Sequence, residues 1–283
     1  MPTVNVRGID LYYEEYGEGP HLIMAHGLMG SVALLEAFGE RPQDIAARGL
    51  HVVAYDARGH GRSGYSTRRD DYRFTAQAED LRGLLDALGI ERTSIYGGSM
   101  GAGTGLLLAL AHPSRVERLI LQSPPPFPED NRPARRMFGS LATAYQLFGA
   151  ALTSRIVTSL PGARASQQQA PALDLRAFFA SQRRAAIVPA IRGLLLGKPQ
   201  VLIEQLSEVM HPTLVLTHPD DEFHPLHSGE ILHEHMPHAK LAVAPTPTYW
   251  QENPDALTHV IASFVKDEPI AQGLPGKPEH QHA

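Results

Sequence analysis

The chain contains no cysteine. Disulfides, a thiolate nucleophile and cysteine-ligated zinc are therefore excluded. It also lacks any apolar run near the roughly 20 residues that a membrane-spanning helix needs. The first residues, Met1-Pro2-Thr3-Val4-Asn5-Val6, do not show the charged-then-apolar order of a signal peptide. No block of like charge occurs, and the formal net charge of −5 is spread over 283 residues. Nothing in that pattern calls for nucleic acid or an anionic membrane. The expectation is a soluble, cytoplasmic protein that handles a small molecule, with no nucleic-acid or membrane partner. Its oligomeric state is not legible.

What is present suffices for a sizeable core. Apolar residues make up 43% of the chain, enough for one large domain or a domain with an insertion. Residues 4–16 alternate around Gly8 in the manner of a hairpin. His21-Leu22-Ile23-Met24-Ala25 and His51-Val52-Val53-Ala54-Tyr55 are continuous apolar runs, as in strands buried on both faces. Helical periodicity follows at 32–48, 74–88 and 100–111, with further strands at 93–97 and 116–121. At Ser123-Pro124-Pro125-Pro126 the rhythm breaks. Residues 126–210 carry helix-like stretches, such as 135–152 and 173–186, and no clear strand. The alternation resumes with a strand at 213–217, a helix at 226–235, a strand at 240–244 and a helix at 254–265. Strands alternating with helices imply a mostly parallel sheet covered on both faces. Domain bounds follow: a core from 1–123 and 211–266, a helical cap at 124–210, and a polar, disordered tail at 267–283.

The stretch that carries chemistry is Thr93-Ser94-Ile95-Tyr96-Gly97-Gly98-Ser99-Met100-Gly101. Gly97-x-Ser99-x-Gly101 has the spacing of a nucleophile elbow, a strand-to-helix turn that lifts a serine off the sheet edge. The amide of Met100 can then face a developing oxyanion. In isolation the same residues would also serve as an ordinary glycine-rich turn.

With its neighbours, the stretch makes the chain resemble the α/β-hydrolase superfamily over nearly its whole length except the tail. His26-Gly27-Leu28 is similar to that family's oxyanion loop, which implies that the Leu28 amide joins that of Met100. Asp56-x-Arg58-Gly59-x-Gly61-x-Ser63 resembles its loop after the fourth strand, with Arg58 and His60 in structural roles. His218-Pro219-Asp220-Asp221-Glu222-Phe223-His224-Pro225 fits the frame in which a late strand delivers the acid. The resemblance puts that acid on Asp221, with Asp220 as the alternative.

The resemblance fails at the base. The family's histidine belongs on the loop after the last strand, and aligning Glu252-Asn253-Pro254 puts Pro247 at that position. No histidine lies between Ala239 and Thr258. His224 is the preferred substitute and His218 the next. The implied function is a serine hydrolase of a small apolar ester, lactone or thioester, with Ser99, His224 and Asp221 as an atypical triad and no cofactor or metal. The alternatives are a non-hydrolytic enzyme of this fold, such as a lyase or cofactor-free oxygenase, or a pseudoenzyme that binds an apolar molecule. A separate resemblance, of His218-Pro219-Asp220-Asp221 to zinc deacetylases, conflicts with its late place in the chain.

Overall fold

The structure is a computed structural model that describes residues 2–125, 127, 132–163, 167, 172–195, 201–270 and 274–275. Its centre is an eight-stranded sheet in the order β1-β2-β4-β3-β5-β6-β7-β8. The strands are β1 (Thr3–Val6), β2 (Ile9–Tyr16), β3 (His21–Ala25), β4 (His51–Tyr55), β5 (Thr93–Gly98), β6 (Val116–Gln122), β7 (Thr213–Thr217) and β8 (Ala239–Val243). Strand β2 runs antiparallel to β1 and β4, and every later pairing is parallel.

The apolar runs are explained by two cores, one on each face. Side chains alternate between faces along a strand. Ile23, Val53, Ile95 and Val215 therefore enter one core, and Leu22, Val52, Tyr96 and Leu214 the other. Helices α2 (Phe74–Ala87) and α3 (Met100–Ala111) cover the first face with Leu81, Leu84, Leu85 and Leu108. Helix α1 (Pro42–Ala46) helps cover the second with Ile45. Each buried leucine or isoleucine contributes about 1.5–3 kcal/mol relative to exposure.

The stretch expected as one helix at 32–48 is two short pieces. A 3-10 helix, Val32–Phe38, ends at Gly39 with φ 79°, and α1 starts only at Pro42. A left-handed glycine followed by a proline at the first helical position is a stop and a restart. The stretch at 173–186 also divides. Its first half is capped by Asp174, which accepts from the Ala177 amide at 3.0 Å.

Between β6 and β7 the described residues form α4 (Arg132–Ser159), α5 (Leu175–Ala180) and α6 (Arg184–Leu194). Helix α4 breaks at Gly149, whose φ of 71° and ψ of 177° are not helical. Leu141, Tyr145, Ile187 and Ile191 make a small core of their own, into which Met29 of the loop after β3 inserts. Gln182 donates to the Met29 carbonyl at 3.1 Å and Arg183 to that of Ser63 at 2.6 Å. The helices are thus tied to the loops at the carboxyl edge of the sheet.

The chain ends with α7 (Leu226–His235), α8 (Tyr249–Glu252) and α9 (Pro254–Val265). Leu257, Ile261 and Phe264 of α9 complete the second core. Most of the segment expected as a disordered tail lies outside the described residues. Of the part described, Ile270 and Leu274 pack on the second core, and the Pro275 carbonyl accepts from the Val243 amide at 3.1 Å. No described helix is long and apolar enough to cross a membrane.

Candidate active site

Ser99 sits where β5 turns into α3, with φ 48° and ψ −104°. A non-glycine residue in this region carries roughly 1–3 kcal/mol of strain, so its surroundings must impose it. They do so by close approach. A Cβ at Gly97 would run into the backbone of Gly101, and one at Gly101 into the Ala25 carbonyl of β3. Only glycine allows the strand, the turn and the helix to pass so near one another. The Ser99 amide donates to the Gln122 carbonyl of β6 at 2.9 Å, which fixes the turn from the other side.

The loop after β3 faces this turn. A Cβ built on Gly27 would lie 3.6 Å from that of Ser99. Leu28 and Met100 both line the cavity above Ser99, and among the described residues neither amide donates to a protein acceptor. The loop is braced by His26. Its Nε2 accepts from the Ala57 amide at 3.0 Å, which leaves Nδ1 to donate to the Gly27 carbonyl at 2.7 Å. Burial pushes the His26 imidazole down to about 4, so it stays neutral at physiological pH. His60 is buried beside it and is pushed down to about 3, again chiefly by burial. Arg58 forms a two-point, buried ion pair with Asp80 at 2.6 and 2.7 Å. Both side chains are engaged in holding their loop.

The loop after β7 brings two expected residues to the serine. His224 Nε2 lies 2.8 Å from Ser99 Oγ, and His224 Nδ1 lies 2.9 Å from Asp221 Oδ2. The other oxygen, Oδ1, accepts from the amides of Phe223 at 2.8 Å and His224 at 3.0 Å. Burial alone would raise the Asp221 carboxyl. The hydrogen bond and charge of His224, with the two amides, outweigh it and hold the group at about 2. Asp220, the alternative acid, is exposed with φ 62° and does not line the cavity. His218, the alternative base, approaches the acid rather than the serine, with its Nε2 3.7 Å from Asp221 Oδ2. Among the described residues no group of three or more His, Cys, Asp or Glu is arranged to hold a metal.

The loop after β8 supplies no imidazole. Pro247 and Trp250 line the same cavity, and Trp250 is also packed into the second core. The cavity measures about 320 Å³ and is walled mainly by apolar side chains, including Leu34, Phe38, Phe74, Phe138 and Phe178.

Two lining residues, Glu40 and Gln122, and the tyrosine between them escaped the sequence reading. Glu40 is buried, and its Oε1 lies 2.9 Å from the Tyr96 hydroxyl, which is 2.5 Å from Gln122 Oε1. Burial pushes the Glu40 carboxyl up to about 7, against the hydrogen bond from Tyr96. The available signal was Gly39, whose left-handed turn takes Glu40 off the helical face on which a charged residue would be solvated. A Cβ at Gly39 would sit 2.6 Å from the Trp250 carbonyl, so this turn lies directly against α8.

The family model described as the alpha/beta hydrolase fold matches residues 20–247. Among curated proteins, the chain is 27% identical over 281 residues to a 2-hydroxy-6-oxononadienedioate/2-hydroxy-6-oxononatrienedioate hydrolase of Comamonas testosteroni, covering 93% of this chain and 94% of the relative. It is 27% identical over 282 residues to a 2-hydroxy-6-oxo-6-phenylhexa-2,4-dienoate hydrolase of Burkholderia cepacia, with coverage of 93% and 94%. Among solved structures, the enol-lactonase from Burkholderia xenovorans superposes with a TM-score of 0.77 at 21% identity, over 94% of this chain and all of that one.

Proposed function

The chain belongs to the α/β-hydrolase fold family, and from that premise we propose that it is a serine hydrolase whose base and acid both come from the loop after β7. The observation that carries the proposal is the continuous chain Ser99 Oγ, His224 Nε2, His224 Nδ1, Asp221 Oδ2, with links of 2.8 and 2.9 Å. A serine hydroxyl is a weak nucleophile unless an adjacent base takes its proton. His224 Nε2 is within reach for that step.

As Ser99 Oγ attacks the carbonyl carbon, its proton passes to His224 Nε2. The carbonyl π pair moves onto oxygen, where the Leu28 and Met100 amides receive it. One such donor typically supplies about 3–4 kcal/mol. Collapse of the intermediate expels the leaving oxygen or sulfur, which takes the proton back from His224. Water then repeats the sequence on the acyl-serine and releases the acid. Asp221, held at about 2, remains ionised throughout. It keeps the imidazole in the required tautomer and stabilises its charged form.

The cavity suits a small to medium, largely apolar ester, lactone or thioester. The relatives' named substrates are dienoates and dioates, which carry carboxylates. Among the described residues lining this cavity there is no lysine or arginine to meet one. This supports an acyl group without a negative charge. No cofactor enters the scheme.

Intact-mass labelling with a fluorophosphonate tests the proposal. The expected result is stoichiometric labelling of the wild type, none of Ser99→Ala, and labelling slowed about 100-fold or more in His224→Ala, where the serine has lost its base. A folded wild type that takes no label would overturn it in favour of a non-hydrolytic or ligand-binding role.

A further inference from the structure

Glu40 is a costly residue to keep where it is. A buried carboxyl loses hydration and recovers it only through hydrogen bonds. Here Oε1 has the Tyr96 hydroxyl, while Oε2 has no protein partner among the described residues. Its side chain lines the cavity, and a Cβ built on Gly98, the residue before the proposed nucleophile, would lie 3.5 Å from Oε1. The carboxyl therefore borders the same cavity as Ser99, beside the backbone that carries it. Three observations define what it would meet. The Tyr96 hydroxyl has one proton and two acceptor neighbours, Glu40 Oε1 and Gln122 Oε1, and no described donor is hydrogen-bonded to Oε2. The described lining contains no lysine or arginine to neutralise the carboxyl. His26, also in the lining, has both ring nitrogens engaged in bracing its own loop.

We propose that Glu40 is a specificity-determining residue: in its ionised form it accepts a hydrogen bond from a hydroxyl or amine of a substrate whose carbonyl sits on Ser99, and it refuses a carboxylate at the same place. This deepens the serine-hydrolase proposal, on which it rests, by naming the substrate class of that site. A hydroxylated ester satisfies Oε2 and leaves no buried acceptor unpaired. A plain alkyl ester leaves it unpaired, and a carboxylated one sets two acceptors against each other. A site built to hydrogen-bond a substrate group discriminates strongly against analogues that lack it.

The test separates binding from chemistry by using Ser99→Ala, which turns nothing over. Ligand-observed NMR titration at about pH 8.5, above the value of about 7 to which burial pushes Glu40, would give affinities for methyl butanoate, methyl 3-hydroxybutanoate, 2-hydroxyethyl butanoate and monomethyl succinate, in Ser99→Ala and in Ser99→Ala with Glu40→Gln. Glutamine keeps the size of the side chain and its contact with Tyr96 but removes the charge. At least one hydroxylated ester should bind about tenfold tighter than methyl butanoate, and monomethyl succinate about tenfold weaker or worse. In the double variant both ratios should shrink by roughly threefold or more. If the ratios are unchanged by Glu40→Gln, or if no preference exists, Glu40 is only a strut for Tyr96 and the proposal fails. Hydrolysis of the same esters by the wild-type serine judges the parent proposal separately, since binding preferences do not require turnover.

Discussion

Two loops leave the carboxyl edge of the sheet side by side. β7 and β8 are parallel neighbours, paired from Thr213 with Ala239 to Thr217 with Val243. The loop after β7 packs a carboxylate and an imidazole into four positions, Asp221 to His224, with the carboxylate on the imidazole and the imidazole on Ser99. The loop after β8 lines the same cavity with Pro247, which can carry no proton. The contrast shows what a parallel sheet fixes. It fixes where loops emerge around the elbow, and here the loop after β7 is the one that brings an imidazole to the serine. In the two-loop arrangement that the family resemblance implies, acid and base are positioned independently. Here Asp221 has two jobs. Oδ2 orients the His224 ring, and Oδ1 gathers the amides of Phe223 and His224 into the turn that carries it.

The sharpest way to break this contrast is to remove the imidazole. Ser99→Ala and His224→Ala should each lower kcat/KM on a methyl or nitrophenyl ester by about 10⁴-fold or more, since triad members act as a unit. His218→Ala should cost less than about tenfold, because His218 touches the acid and not the serine. Steady-state kinetics on the three variants decides the matter. If the His218 variant suffers more than the His224 variant, the base has been assigned to the wrong end of the loop.

Asp221→Asn comes next, at about 10⁴-fold. An asparagine Oδ1 can still accept the two amides, but its NH₂ would face His224 Nδ1 and favour the tautomer with a proton on Nε2, the wrong one for a base. Asp221→Ala should be worse than Asp221→Asn by a further factor of several, because it also removes the acceptor that folds the turn. Equal losses would mean that the turn does not depend on the carboxylate.

The same carboxylate has a signature in stability. Its folded pKa lies below the usual 3.8, at about 2. A depressed carboxyl stabilises the fold above its unfolded pKa, and that contribution disappears as the pH falls through the folded value. About 2 kcal/mol should therefore separate wild type from Asp221→Asn in urea unfolding near neutral pH, and the gap should close between about pH 4 and pH 2. A gap that persists at the lowest pH would assign the stability to packing instead.

The sequence made the elbow, the His26-Gly27-Leu28 loop and the Asp221 frame legible because each is a local requirement. Glycines at 97 and 101 are forced by backbone contact, and the strands announce themselves as apolar runs buried on both faces. His224 could be singled out only by default, after Pro247 removed the usual position. Nothing local says that a side chain three residues from its acid will turn toward a serine 125 residues away; the tertiary fold decides that. Glu40 was illegible for the opposite reason. Periodicity at 32–48 placed it on a continuous helix, whereas Gly39 ends the 3-10 helix and sends the carboxyl inward. Helical periodicity reports a face but not where the helix stops.

The smallest expected effect belongs to the other loop. If the loop after β8 contributes only a wall, Pro247→Ala removes a little apolar lining. The change removes two ring methylenes from a part-buried residue, each worth about 0.8 kcal/mol when fully buried, so the loss should be less than about fifteenfold and should appear in KM rather than kcat. The sharper version is Pro247→His placed in His224→Ala. Because β7 and β8 end in register, an imidazole at 247 starts from a strand edge adjacent to the acid. Recovery of about tenfold or more over His224→Ala would mean that either loop can host the base and that the sheet edge alone decides catalytic competence. No recovery in a folded double variant would mean that the loop after β8 has also lost the path that brings an imidazole to Ser99, so the two loops differ in shape as well as in a single residue.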